Sequence, residues 1–440
     1  MWPYYPDLLA ANVPRYTSYP TAVEFHEGVK GADLDAALAA IGPDDPVSLY
    51  VHIPYCQQIC WYCGCNTGAA GKTHRLTSYL AALEAEIALI AGRLGGRGRV
   101  RTIAFGGGSP NAIAPVEFVR LVDRIFTTFS CDRPAISVEV DPRIFNAAWA
   151  ATLAHCGVSR VSLGVQSFSE AIQRAIGRIQ PEQMIADCMQ QLRDVGIDAV
   201  NFDLMYGLPG QSADDLHATL DTAIRLLPSR IALFGYAHMP HLFPRQRRID
   251  ASALPGPAER FKLADIGYHQ LVGAGYSAIG FDHFARPQDS LAVAADHGRL
   301  HRNFQGFTDD GCAHMIGLGA SAISNFPDYI IQNEKHPGQY RTLAMAHALA
   351  ASRGIRRSAD DKIRGAMIER LLCTGNSGSI PPKILDAARP ALRPFAARGL
   401  ARVDGDSVVI ADEGLPYART IAAALDAYRV PLGTQFSRAI

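Results

Sequence analysis

Between residue 47 and about residue 285, short runs rich in β-branched and aromatic residues alternate with longer amphipathic stretches. The short runs are VSLYVHI (47–53), VRTIAFG (100–106), AISVEVD (135–141), RVSLGVQS (160–167), AVNFDLMYG (199–207), RIALFGYAH (230–238) and YSAIGFDHF (276–284). Most are apolar on both faces through much of their length, which predicts parallel strands covered by helices. THRLTSYLAALEAEIALIAGRL, PVEFVRLVDRIFTTF and SADDLHATLDTAIRLL lie between them and read as helices. In the last, Ser212 and Asp215 stand at capping-box spacing, with acidic residues in the first turn where the helix dipole favours them. Repeated strand–helix units predict an α/β fold with a parallel sheet and right-handed crossovers. Seven strands suit a partial or complete (β/α) barrel, or an open doubly wound sheet. The barrel is preferred because the cysteine cluster at 56–65, a triglycine at 106–108, Glu139, Gln166 and Asp203 all fall at or just past strand C-terminal ends. Barrel active sites gather there.

The flanks differ from this repeat. Residues 1–35 read as an arm rich in Pro and Tyr that covers the site, 36–345 as the barrel-like catalytic domain, and 346–440 as a small, mostly helical domain. The helices expected in the last part include LAMAHALAASRG, DDKIRGAMIERLL and ILDAARPALRPFAARG, followed by a hairpin over LARVDGDSVVIAD and a final helix.

Lys+Arg and Asp+Glu both total 42, so no global field favours nucleic acid or an anionic membrane. The first twenty residues lack the charged and apolar regions of a secretory signal, and no apolar stretch reaches the length of a membrane span. The expectation is a cytoplasmic protein, monomeric and without a nucleic-acid partner. Nine cysteines, an odd number, argue against a disulfide framework. Four of them form Cys56-x3-Cys60-x2-Cys63-x-Cys65 directly after the first strand. Thiolates are soft ligands for zinc or iron–sulfur clusters. Structural zinc normally takes two separated pairs of ligands, whereas three thiolates in one tight loop suit three irons of a cubane, with the fourth iron open. C-x3-C-x2-C in this place resembles the signature of the radical S-adenosylmethionine superfamily. FGGGSPNAI (105–113), at the end of the second strand, resembles that superfamily's glycine motif, which meets the methionine amino group.

The resemblance becomes specific further along. RYTSYPTAVEFHE (15–27), LYVHIPYC with CWYCGCN (49–66), FGGGSP (105–110), SVEVDP (137–142), SLGVQSF (162–168), NFDLMYGLPGQ (201–211), YAHMP (236–240), GFDHFARPQDSLAVA (280–294), HRNFQGF (301–307) and the terminal QFSRAI are similar to the oxygen-independent coproporphyrinogen III oxidases. The resemblance implies a partial or complete parallel barrel of the radical S-adenosylmethionine type. It also implies oxidative decarboxylation of two propionates of coproporphyrinogen III to the vinyls of protoporphyrinogen IX, in haem synthesis, through a 5′-deoxyadenosyl radical. A reductant such as flavodoxin or ferredoxin and an electron acceptor are implied partners.

Matching motif positions implies that Cys56, Cys60 and Cys63 hold a 4Fe–4S cluster and that Cys65 is required for activity without binding iron. A first S-adenosylmethionine would meet Tyr50, Gly107, Glu139 and Ile323, with Gln305 nearby. A second would meet Tyr62, Gly108, Ser109, Gln166, Arg178, Asp203 and Ala237, and Tyr62 counts with Cys65 as a catalytic candidate. Ser109 stands where the family commonly has Thr, and Trp61-Tyr62 where it has Tyr-Phe. A tetracarboxylate substrate needs positive groups, and Arg15, Arg286 and Arg302 are the candidates inside motif segments. A haem chaperone, or a paralogue performing methyl transfer or cyclopropanation, shares the cysteine loop. The arm, Cys65 and HRNFQG favour the oxidase.

Overall fold

The computed structural model describes residues 1–71 and 73–429. The terminal QFSRAI segment therefore lies outside the described residues. Twelve strands form one sheet: β1 Pro46–Ile53, β2 Arg99–Gly107, β3 Cys131–Val140, β4 Val158–Gln166, β5 Ala199–Tyr206, β6 Arg230–Gly235, β7 Ser277–Ile279, β8 His283–Ala285, β9 His314–Leu318, β10 Ile323–Asn325, β11 Tyr329–Asn333 and β12 Ala351–Arg356. Their spatial order is β12-β11-β10-β9-β1-β2-β3-β4-β5-β6-β8-β7. Strands β9 and β1 to β6 run parallel, and antiparallel strands extend both ends. The outermost strands β12 and β7 do not pair with each other, so the barrel is partial.

Alternate positions of β1 (Val47, Leu49, Val51, Ile53) are fully buried in the main core, as the two-residue period of a strand requires. The helix Thr73–Leu94 contributes Leu80, Leu83, Ile87 and Ile90 to the same core. Glu86 is also buried there, at about 2% exposure. Its carboxyl accepts from the Gly319 N–H (2.6 Å), the Tyr340 hydroxyl (2.7 Å) and Asn333 Nδ2 (2.7 Å). Those donors tie the helix to β11, to the turn after β9 and to the helix Pro337–Met345. The capping box at Ser212 forms as the spacing predicts: Ser212 Oγ accepts from the Asp215 N–H, and Asp215 accepts from the Ser212 N–H.

Two elements differ from the sequence reading. YSAIGFDHF is not one parallel strand but two short ones, β7 and β8, turning at Gly280 with φ +59°; β8 pairs antiparallel with β6. The seventh parallel strand is β9, which pairs with β1 from Val47 to Val51. LAMAHALAASRG is not a continuous helix. The helix stops at Met345, His347 takes the left-handed conformation (φ 53°), and Ala351–Arg356 becomes edge strand β12. Alanine favours helix intrinsically, but here the ladder with β11 decides.

The helices Ala359–Thr374 and Pro382–Ala396, with the hairpin Ala401–Asp404 and Ser407–Ile410, complete the C-terminal part. The N-terminal arm buries Leu8, Leu9, Val13, Tyr16 and Tyr19 in a core shared with Leu371, Leu392, Tyr417 and Ile421. Tyr417 closes the join, donating to the Pro3 carbonyl (2.6 Å) and accepting from the Tyr5 N–H (2.8 Å).

Candidate active site

A cavity of about 570 Å³ opens at the C-terminal ends of the parallel strands. All four cysteines of the loop line it, together with Gly107, Gly108, Ser109, Glu139, Gln166, Arg178, Asp203 and Ala237. Residues of β2 to β5 and of the segments that follow β1 and β6 thus converge as strand-end placement predicts. The loop is latched by its neighbours. Gln246 Nε2 donates to the Tyr62 and Ala237 carbonyls (2.7 and 3.1 Å), and Arg245 donates to Thr67 Oγ1 and its carbonyl (2.7 and 2.9 Å). The Trp61 N–H bonds the Ile176 carbonyl at 3.0 Å.

The thiols sit in a cationic setting. Arg178 Nη1 and Arg143 Nη2 donate to Cys60 Sγ at 3.2 and 3.4 Å. Asp141 lies between those guanidiniums, 2.6 Å from Arg143 and 3.3 Å from Arg178. Burial opposes its charge, yet the hydrogen bonds from Arg143 and the field of Arg178 keep its carboxyl below the usual range. A hydrogen bond from Cys65 brings Cys63 down to about 6 and pushes Cys65 well up. Burial raises Cys56 to about 11, against a contact from Ser109 Oγ at 3.8 Å. Among the described residues, no three His, Cys, Asp or Glu side chains approach closely enough to share one metal ion. A cubane asks for something else: each thiolate takes its own iron, so the three sulfurs stand further apart. Three cysteines on one loop, two guanidiniums beside them and open space in front fit that donor set.

The triglycine is tight for steric reasons. A Cβ on Gly108 would meet the Tyr55 backbone at 2.5 Å, and one on Gly106 would meet Glu139 Oε1 at 2.4 Å. The Gly107 N–H donates to Glu139 Oε2 at 3.2 Å. Burial, with the nearby Asp203 charge, raises the Glu139 carboxyl to about 7. Asp203 is raised chiefly by burial, although Ser162 Oγ (2.9 Å) and Asn201 Nδ2 (2.8 Å) donate to it. Gln166 holds a positive φ of 68°. Strain of this kind, about 1–3 kcal/mol, collects at functional sites.

Other candidates are placed differently. Tyr50 lies behind this cavity, its hydroxyl 3.1 Å from His52 Nδ1 and its ring edge-on to Phe304. Burial drops His52 to about 4, so it is a neutral structural residue. Gln305 bonds Glu139 from outside the lining. Ile323 begins β10, where a Cβ on Gly317 would strike its backbone at 2.7 Å. Arg286 is not brought to the site. It follows β8, whose Ala285 faces Arg230 at the start of β6, so it sits at the opposite end of the sheet, against Tyr276. Arg302 also misses both large cavities. It is buried beneath the arm, donates to the Arg15 carbonyl (3.1 Å) and stacks over Phe307 at 4.4 Å. Arg15 itself is exposed and lines this cavity and an adjoining one. Arg143, Arg245 and Gln246 were not foreseen. Arg143 follows the SVEVDP segment directly, and that adjacency was the available signal.

An iron–sulfur loop at the mouth of a partial parallel barrel, beside a glycine edge and a buried carboxylate, defines a radical S-adenosylmethionine protein, and the sequence model of the Radical SAM superfamily matches residues 50–223. The chain is 40% identical over 440 residues to the oxygen-independent coproporphyrinogen III oxidase of Bradyrhizobium diazoefficiens, covering 98% of this chain and 97% of that one. It is 37% identical over 439 residues to that of Escherichia coli, covering 97% and 96%. The solved coproporphyrinogen III oxidase of Escherichia coli superposes with a TM-score of 0.91 at 36% identity, over 97% of this chain and all of that one. The chain belongs to the oxygen-independent coproporphyrinogen III oxidases. Among the described residues no helix is long and apolar enough to cross a membrane.

Proposed function

We propose that the chain decarboxylates two propionates of coproporphyrinogen III oxidatively, giving the vinyls of protoporphyrinogen IX, as a cytoplasmic monomer in haem synthesis. The observation that carries this reading is the convergence of Cys56, Cys60, Cys63, the glycine edge and Glu139 on one cavity. The bound 4Fe–4S cluster and S-adenosylmethionine supply the 5′-deoxyadenosyl radical that takes a propionate β-hydrogen. Cys56, Cys60 and Cys63 hold the cluster, and the guanidiniums at Cys60 offset the negative charge that collects there. Glu139 and Gly107 seat the first S-adenosylmethionine, with Tyr50, Gln305 and Ile323 placed behind them. Tyr62, Gly108, Ser109, Gln166, Arg178, Asp203 and Ala237 seat a second, with Ser109 keeping the hydroxyl of the usual Thr. Cys65 supplies a proton-carrying thiol within the cavity. The arm keeps water out along one side through Val13 and Arg15. A flavodoxin or ferredoxin delivers the electron, and a separate acceptor takes the one released with CO2.

The test is anaerobic turnover of coproporphyrinogen III with reconstituted protein, a reductant and S-adenosylmethionine. Products carrying vinyls in place of two carboxyls support the reading. Substrate recovered with all four carboxyls overturns it.

A further inference from the structure

Arg143 touches a cysteine of the loop and has no part in seating either S-adenosylmethionine. It stands in the short helical turn Pro142–Ile144, directly after β3. The turn is fixed at its start. The Asp141 N–H and carbonyl are both held by the Asn111 amide (3.0 and 2.9 Å), and the Asp141 carboxylate accepts from the Arg143 N–H (3.1 Å). The Arg143 side chain is 4% exposed. Its Nε and Nη2 donate to Asp141 (2.9 and 2.6 Å), and its Nη1 donates to Gln58 Oε1 (3.1 Å). Nη2 also reaches the Gln58 carbonyl (3.2 Å) and Cys60 Sγ (3.4 Å). One buried fork thus ties the end of β3 to the loop between Cys56 and Cys60.

Arg178 brings a second guanidinium to the same sulfur, at 3.2 Å, and to the same carboxylate, at 3.3 Å. Two cations and one anion, each side chain less than a tenth exposed, leave this trio with a net positive charge against Cys60, which is itself buried. Buried charges are little screened by solvent. The potential of an iron–sulfur cluster follows the local charge and the hydrogen bonds to its sulfurs. A cluster that has gained one electron carries one more negative charge, so a cation beside a ligand sulfur favours the reduced form and an anion opposes it. Resting on the proposed function, in which a flavodoxin or ferredoxin supplies that electron, we infer that Arg143 is a positioning residue that acts through Cys60 to raise the reduction potential of the cluster. Asp141 is its counterweight: it orients both guanidiniums and keeps the potential below the value that two unpaired cations would impose.

Potentiometric titration of the reconstituted full-length protein, with the reduced cluster followed by electron paramagnetic resonance, tests this without S-adenosylmethionine or substrate. Arg143→Gln removes the charge, and the ratio of reduced to oxidised cluster at a fixed potential should fall about tenfold, which is about 59 mV for one electron. Arg143→Lys keeps the charge and should stay closer to wild type. Asp141→Asn removes the anion and should move the potential upward, a direction that a merely loosened loop does not predict. Iron and sulfide analysis beside each titration checks that the clusters compared are complete. An unchanged potential in Arg143→Gln would overturn the inference, and so would an equal fall in Arg143→Lys or a fall in Asp141→Asn. Where Arg143→Gln holds no cluster, Asp141→Asn decides alone: a raised potential supports the inference, and an unchanged or lowered one overturns it. The proposed function fails separately. A wild type that assembles no cluster removes that function, whereas a wild-type cluster whose potential is the same in all three variants removes only the role of Arg143.

Discussion

Cys63 and Cys65 are separated by one residue, and the hydrogen bond between them lowers Cys63 and raises Cys65. Removing each should therefore have a different signature. Cys63→Ala should lose iron and the visible absorbance of the cluster. Cys65→Ala should keep both and still lose turnover by about 10²-fold or more, the scale of a positioned proton donor. Iron analysis beside turnover measures this, and loss of iron in Cys65→Ala would show it to be a ligand. Glu139 gives a pH signature. With its carboxyl near 7 in the free protein, it is neutral below that pH and charged above it. A methionyl ammonium prefers the charged form, so affinity for S-adenosylmethionine should rise about tenfold from pH 6 to pH 8. Equilibrium dialysis with Glu139→Gln should show a flat profile, and a parallel rise in the variant would assign the titration elsewhere.

Among the elements, the helix Thr73–Leu94 is docked through a carboxyl rather than by apolar contact alone. Glu86 titrates at about 7 in the fold because burial outweighs its three donors, against about 4.3 when unfolded. The folded value is the higher one, so the stabilisation is complete below about pH 4.3 and is lost as pH rises through about 7. In Glu86→Gln this loss disappears. The lead in unfolding midpoint of wild type over variant should shrink between pH 5 and pH 8, as followed by calorimetry, and a constant lead would mean that Glu86 stays ionised throughout. The elements also explain what was legible beforehand. Strands β1 to β6 announce themselves through long β-branched runs, and the residues just beyond them were correctly placed at one end of the sheet. The short strand β9 has too few residues to stand out, and the direction of β8 cannot be seen in its composition. That second miss moved a residue: a parallel strand over 276–284 would carry Arg286 to the cavity, while the observed antiparallel pairing with β6 carries it to the far end.

For the whole molecule, the arm and the C-terminal part share a core, and Arg302 donates to the Arg15 carbonyl from below. Arg302→Ala should loosen that contact without unfolding the sheet. Limited trypsin digestion should then cut after Arg15 well before it does in wild type, and the substrate KM should rise because Arg15 is no longer fixed. Equal cleavage rates would mean that the apolar contacts of Leu8, Val13 and Tyr16 hold the arm unaided. The two cavities meet at Arg15, Tyr236, Ala237 and Met239, and on the proposed function a propionate β-hydrogen of the tetrapyrrole is delivered to the cysteine loop. The most direct measurement uses coproporphyrinogen III deuterated at the propionate β-carbons, turned over anaerobically, with 5′-deoxyadenosine analysed by mass spectrometry. Deuterium in the 5′-deoxyadenosine, matched by vinyl formation, is the expected result. Unlabelled 5′-deoxyadenosine with all carboxyls retained would contradict it.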